Sequence, residues 1–217
     1  MTSAAASFEP ADRRPSFGDA RVERVRRVDA RLRQRLLTIW TDVSNAGGWV
    51  GFVPPVDRHD VAPALDAALR RIHDGRDWLI VVRVPRDPGA KRDAVDAPDP
   101  LVPDEDVVAG FGIVADNDRL LSEHWRWLIR VQIHPDFQHA RLGGVLLDGA
   151  ARIAADAGLE KLLLTVRGGE GLESFYARAG YREVARIPGA IRVSPGDDRD
   201  QVMLVHELRP AASGDDD

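Results

Sequence analysis

The sequence predicts an α/β fold built on one mixed, mostly antiparallel sheet of about six to seven strands, flanked by about four helices. Three observations carry that prediction. Short apolar runs of strand length, Trp78–Val84 and Val107–Val114 among them, are bounded by Gly, Pro, Asp and Asn. Apolar residues recur at helical spacing over Leu32, Leu36, Ile39, Trp40 and Val43, and again over Leu142, Val145, Leu146, Ala150, Ile153, Ala154 and Ala157. Between the strand-like run Leu128–Ile133 and the second of these helices lies a polar turn with two glycines, His134–Gly144.

The elements follow in order. Arg21–Val28 fits either a first strand or the start of a helix. The helix over Leu32–Val43 stops at Gly47-Gly48. Val61, Leu65, Ala68, Leu69 and Ile72 mark a second amphipathic helix, stopped near Gly75. Trp78–Val84 is a buried strand. Arg86–Asp106, rich in Pro, Asp and Ala, lacks periodicity and is expected to be a long mobile loop. Val107–Val114 and Trp125–Ile133 are strands, separated by the turn Asp116-Asn117-Asp118. The third helix follows the glycine turn and ends at Gly158. Lys161–Val166, Tyr181–Ile187 and Gln201–His206 complete the strands, with a short helix over Leu172–Ala179. The early strands can pair antiparallel. The strand–helix–strand unit across Leu142–Ala157 needs a parallel crossover.

At 217 residues the chain is long enough for one well-buried domain and short for two. We place that domain at residues 19–208, between tails at 1–18 and 209–217 whose composition cannot bury a core. The absence of cysteine excludes disulfides, thiol nucleophiles and cysteine zinc sites. His134 and His139 flank a turn at no convincing metal spacing, so no metal is expected. A net charge of −5 argues against a nucleic-acid partner. No apolar run has the length of a membrane span or of a signal peptide. A cytoplasmic location fits. Lys91 and Lys161 are the only lysines beside many arginines, which suggests a GC-rich bacterial coding sequence.

The glycine turn is where chemistry enters. The first amides of a helix have no intrahelical partners, and glycine lets them approach an anion closely, so such a turn after a strand suits a phosphate. A second segment, Leu172-Glu173-Ser174-Phe175-Tyr176-Ala177-Arg178-Ala179-Gly180-Tyr181, lies downstream. Together the two resemble the acyl-CoA-binding motifs of the GNAT superfamily of N-acetyltransferases. The first motif there reads Arg/Gln-x-x-Gly-x-Gly/Ala. Gln138 and Gly143 match it, and Arg141 stands on a usual glycine. The order of elements also resembles that family over roughly residues 21–208. The match looks closest to the tabtoxin-resistance acetyltransferases, on Gly47–Pro55, Thr165, Ile187–Ala190 and Ser194–Asp197.

The resemblance implies a GNAT fold, splayed between strands 4 and 5, and acetyl-CoA as co-substrate. It implies that Gln138, His139, Ala140, Arg141, Leu142, Gly143 and Gly144 cradle the pyrophosphate. Val131 and Ile133 would contact the pantetheine arm, and the Val131 amide the thioester carbonyl. Tyr176 matches the tyrosine that protonates the departing thiolate. Trp49 and Phe52 would wall the acceptor pocket. Trp127 falls where the family often has a glutamate base, and is itself a candidate pocket wall. The function implied is transfer of an acetyl group from acetyl-CoA to a primary amine of a small molecule, such as an antibiotic or toxin-like metabolite; a homodimer is one assembly it allows. Trp127 and Arg141 motivate a rival, a CoA-binding protein that has lost catalysis and serves regulation. A nucleotide-binding protein is disfavoured, since neither Gly-x-Gly-x-x-Gly nor Gly-Lys-Ser/Thr follows a strand.

Simpler roles stand beside these. His134 suits a strand-end cap as well as a base. Trp125 and Trp127 share a strand face at period two, as core residues do. Tyr176 lies on the packing face with Leu172, Phe175 and Ala179. The arginines from Arg21 to Arg35 fit a solvated basic face.

Overall fold

In the computed structural model, which describes residues 19–85, 106–138 and 140–208, the first two helices each begin on an aspartate. Asp29 caps α1 (Ala30–Asn45), its carboxylate accepting from the Leu32 amide at 2.7 Å. Asp57 and Asp60 form a capping box at the start of α2 (Arg58–His73). These caps satisfy amides that helix geometry leaves open, which fixes where each helix starts.

The strands are β1 (Arg21–Val25), β2 (Trp78–Val84), β3 (Val107–Ala115), β4 (Trp125–Ile133), β5 (Lys161–Arg167), β6 (Arg182–Ser194) and β7 (Asp197–Glu207). They form one sheet in the order β1-β2-β3-β4-β5-β7-β6. Every neighbouring pair is antiparallel except β4 and β5, which α3 (Leu142–Asp156) joins as a crossover. α4 (Leu172–Arg178) follows β5. This is the mixed, mostly antiparallel sheet with four helices that the apolar periodicities predict.

Both faces of the sheet are covered. Leu79, Val81, Phe111 and Ile113 pack with Leu36, Ile39 and Trp40 of α1 and with Leu65 of α2. Ile80, Val82 and Val114 point the other way, into a core with Leu142, Leu146, Leu147 and Tyr176 of α3 and α4. Burial on two faces is why β2 and β3 are continuous apolar runs rather than alternating ones.

β4 and β5 pair only from Trp125 opposite Lys161 to Trp127 opposite Leu163. From Leu164 onward β5 is paired with β7 alone, and Leu128–Ile133 pairs with β3 alone. The two strands therefore part, and the sheet opens into a cleft between their C-terminal halves.

Three sequence expectations change. Arg21–Val25 is a strand, paired with β2, and not a helix start. The last two strands run longer than Tyr181–Ile187 and Gln201–His206 and form a hairpin turning at Ser194–Asp197. Their ladder slips between Ile187 and Ile191, where Pro188 has no N–H to donate and Gly189 takes φ 60°. β6 is an exposed edge, so no apolar alternation announces it; cross-strand ion pairs such as Arg192–Asp198 at 2.7 Å take that place. The basic run from Arg21 is not uniformly solvated either. Arg35 is buried, its Nε donating to the Val108 carbonyl at 2.8 Å. The segments 1–18, 86–105 and 209–217, and His139, lie outside the described residues. Among the described residues no helix is long and apolar enough to cross a membrane.

α3 lies close against β1 through Gly149. A Cβ on Gly149 would overlap Cβ and Cγ1 of Val22, on a β-branched residue with no flexible end to yield. Gly149→Val should therefore destabilise the fold by about 1–3 kcal/mol. The check is the urea midpoint; an unchanged midpoint would show that α3 and β1 can separate freely.

Candidate active site

The cleft gets its inner wall from an irregularity in β4. Phe111 faces Gln132 and Ile113 faces Ile129, so β4 spends one more residue than β3 over this stretch. The extra residue lies at Arg130, whose φ is 54°. Past the bulge the strand is regular, and the His134 amide donates to the Ala109 carbonyl of β3 at 2.9 Å. Successive amides of a strand point to opposite sides. With His134 and Gln132 turned to β3, the amides of Ile133 and Val131 turn to the cleft, where β5 has already left. The side chain of Gln138 reaches back to the same edge, its Nε2 donating to the Ile133 carbonyl at 3.1 Å.

The turn after β4 leads into α3. His134 is 4% exposed and caps the short 3-10 turn Pro135–Phe137; its Nδ1 accepts from the Asp136 amide, and its Nε2 lies 3.1 Å from Asp42 Oδ2. With Nδ1 accepting, Nε2 carries the proton and donates to Asp42. The ring is thus committed to structure, as the strand-cap reading expects. Arg141 then adopts φ 62° and ψ 8°, the left-handed conformation that favours glycine, with its side chain exposed. The backbone at this usual glycine position is therefore glycine-like, and the arginine does not fill the turn.

Unlike α1 and α2, α3 starts without a side-chain cap. The amides of Leu142, Gly143 and Gly144 at its first turn have no intrahelical acceptor. The two glycines differ. A Cβ on Gly143 would stand 3.0 Å from Phe175 Cζ, so Gly143 lets α3 close on α4. A Cβ on Gly144 would meet nothing within 4 Å outside its own turn of helix, which leaves space beside the helix start. An uncapped first turn with open space fits a diphosphate.

Phe175 and Tyr176 sit on α4 beside that glycine, their rings 5.1 Å apart, with Tyr181 5.7 Å beyond. Tyr176 is 9% exposed. Burial pushes its hydroxyl up to about 12, so the phenol keeps its proton across the working range of an enzyme.

The opposite face of the cleft is covered by the loop between α1 and α2. Asn45 clamps the loop by a two-bond exchange with Val56, both at 2.9 Å. Within it the Val50 carbonyl accepts from Trp40 Nε1 at 2.9 Å and from Arg130 at 2.6 Å. The next residue back, Trp49, stacks over the guanidinium of Arg167 at 3.0 Å. Arg130 belongs to β4 and Arg167 ends β5, so Trp49-Val50 spans the two banks of the cleft. Phe52 packs edge-on against Trp40, with centroids 5.8 Å apart. Trp127 packs edge-on against Trp125 at 5.3 Å and lies against the α1–α2 core.

Val131, Ile133, Gln138, Ala140–Gly144 and Tyr176 thus gather on one side of the cleft, and Trp49, Phe52 and Trp127 on the other; His139 is outside the described residues. Glu123 and His124 sit just before the far end of β4, roughly 25 Å along the chain from Val131 at about 3.3 Å per residue. They are too remote to act as bases there. Sequence reasoning missed Arg130, Gln132 and Arg167. A charged or amide residue inside an otherwise apolar strand run was the available signal.

Residues 76–181 match the model of the acetyltransferase (GNAT) family. No curated protein matches the chain. Among solved structures, a Salmonella typhimurium protein determined with its cofactor acetyl-CoA is similar at a TM-score of 0.61 and 15% identity, over 91% of this chain and 99% of that one. Spermidine N-acetyltransferase from Vibrio cholerae, in complex with CoA and spermine, gives 0.61 and 12% over 88% and 96%. Ribosomal-protein-alanine N-acetyltransferase from Brucella melitensis gives 0.60 and 15% over 86% and 99%. At these identities the likeness is one of fold, and the finer resemblance to tabtoxin-resistance enzymes rests on the sequence pieces alone. The family match runs from β2 through α4, across both banks of the cleft and the start of α3, and the chain carries a GNAT acetyltransferase domain.

Proposed function

We propose that the protein is an acetyl-CoA-dependent N-acetyltransferase that moves the acetyl group directly to a primary amine of a small molecule. The observation that carries this reading is a coincidence of parts. The uncapped start of α3 and the cleft-facing amides of β4 lie on one path, and Tyr176 stands beside it. The amine acceptor is supported by neighbours of the same fold, one of them a spermidine N-acetyltransferase.

Acetyl-CoA, as co-substrate, supplies the activated acyl group. The turn from Gln138 to Gly144 holds its pyrophosphate through the open amides of Leu142, Gly143 and Gly144, helped by the helix dipole. Val131 and Ile133 hold the extended arm by strand-like hydrogen bonds. The Val131 amide donates to the thioester carbonyl and takes up the negative charge that grows on oxygen as the amine attacks. The carbon–nitrogen bond forms, the carbon–sulfur bond breaks, and Tyr176 gives its proton to sulfur. The nitrogen's spare proton leaves to water, since Trp127 occupies the place of a glutamate base. The chain has no cysteine to carry the acetyl group, so transfer is direct. Trp127 is also the observation that favours the second reading, a CoA-binding protein without turnover. Thiol release from acetyl-CoA with a panel of amines separates the two, with no protein thiol to obscure the signal.

Gly144→Glu is the cleaner test of the cradle, because Gly143 also packs on Phe175 while Gly144 faces open space. The variant should fold normally by circular dichroism and lose acetyl-CoA binding by at least about 100-fold in calorimetry. Unchanged affinity would remove this turn from the phosphate site.

Tyr176→Phe should lower kcat about 100-fold and change acetyl-CoA affinity little. In the unaltered protein kcat/KM should climb with pH as the amine becomes neutral. No falling limb is expected until the pH approaches the Tyr176 value of about 12, because a raised pKa preserves the protonated acid. A decline already near pH 9 in the pH–rate profile, absent from the phenylalanine variant, would contradict this.

A further inference from the structure

The acceptor bank of the cleft holds bonding capacity that the chain leaves unused. Arg130 is half-buried, and among the described residues its one hydrogen bond is to the Val50 carbonyl. Among the described residues no carboxylate stands within ion-pair distance of it. Desolvation lowers its pKa, the effect of burying a cation short of counter-charge. Two residues on, Gln132 is 3% exposed, and both its amide nitrogen and its amide oxygen are buried without a partner among the described residues. Leaving both ends of a buried amide unmade is expensive, and native proteins rarely tolerate it without a reason.

The two groups share a face. Arg130 touches Trp40 and Val50 on the α1–α2 side, and His134 reaches Asp42 of α1 on that side. Period-two alternation places Gln132 between them, roughly 7 Å along the strand from Arg130. Val131, between Arg130 and Gln132, turns its amide to the cleft. The phosphate cradle lies on the α3 side, so an acceptor must arrive from the α1–α2 side, where these groups wait.

We propose that the acceptor amine also bears a carboxylate, and that Arg130 and Gln132 bind it. This rests on the acetyl-transfer reading above. The planar guanidinium fork suits a carboxylate, and the Gln132 NH₂ can donate to one of its oxygens. The Gln132 carbonyl can accept from the acceptor's nitrogen and turn it toward the Val131 position. The charge count selects a monoanion over a dianion. Arg167, on the other bank, is already paired with Glu170, which leaves Arg130 as the uncompensated cation of the two. The same cation repels a polyamine, so this cleft differs in sign from what a spermidine enzyme needs.

The test compares kcat/KM, corrected to the neutral amine, for L-lysine against cadaverine, L-histidine against histamine and L-phenylalanine against phenethylamine, with spermidine added. Binding of the same compounds to the CoA-loaded protein is measured by calorimetry. The carboxylated member should be preferred by roughly 100-fold in at least one pair. Arg130→Met should bring that ratio close to one, and Arg130→Lys should keep part of it. Gln132→Leu removes a buried unpaired amide, so it should raise the melting temperature of the free protein while raising KM for the acid roughly tenfold. Preference for spermidine or the decarboxylated amines overturns the proposal, as does an Arg130→Met variant that slows both members of a pair alike, which is the mark of a loop anchor. If acetyl-CoA binds and no amine turns over, the transfer reading fails and calorimetry decides. An acid that binds the CoA-loaded protein and is lost in Arg130→Met sustains the carboxylate site, and no acid binding ends it.

Discussion

β4 and β5 are the one parallel pair in the sheet, and they stay together only over Trp125–Trp127 and Lys161–Leu163. Nearly everything about the site follows from that parting. A strand that loses its neighbour on one side keeps its N–H and C=O groups pointing into the gap, and buried backbone groups need partners. Here an extended ligand arm is the natural partner, because it can pair along the strand as β5 would have done. The bulge at Arg130 sets which amides face the gap and which face β3. The short His134–Arg141 turn then delivers the chain to α3 with its first amides uncapped. One divergence thus places a backbone ladder and a helix start along a single path.

The cleft is kept open by packing on either side. α3 is pressed on β1 through Gly149 and on α4 through Gly143, where a Cβ would overlap Val22 or crowd Phe175, so it is held closely at two points. On the far face, the Asn45–Val56 clamp and the doubly used Val50 carbonyl hold the α1–α2 loop across both banks. Tyr176 is buried among aromatic rings in the α3–α4 core, so its position is set by packing and its proton by desolvation. The packing role is thus met, and a desolvated hydroxyl that keeps its proton is what the proposed acid role needs.

The order of elements along the chain and most helices were legible because their signals are physical and local. α1, α2 and α3 announce themselves by apolar spacing, and β2 and β3 by burial on two faces. β6 was half legible, since an exposed edge strand needs charge pairs rather than apolar alternation, and Pro188-Gly189 looked like a loop. The uncapped start of α3 was legible because glycine and helix start coincide. Arg130, Gln132 and Arg167 were not. Their presence as polar residues in strand runs was a local signal, but their role depends on a bulge, on a loop distant in sequence and on missing partners, which no local pattern writes. Arg141 shows the limit of motif matching from the other side. Its departure from glycine is a change of residue without a change of backbone conformation, which letters alone cannot reveal.

The buried orphans on β4 bear on how stability is distributed. The α3 side of that strand, through Leu128, Val131 and Ile133, packs as an ordinary core. The α1–α2 side carries Trp127, an arginine, an unpaired amide and a histidine in succession, the last three costlier to bury than an aliphatic residue. A sequence selected for stability alone would place valine or leucine at Gln132, opposite Phe111 in the sheet. Departures from local rules concentrate where a ligand completes them. Here they gather on the strand that parts from its neighbour within the sheet, facing the loop that spans the gap. The expense is local, while β2 and β3, fully packed on both faces, hold the frame against it.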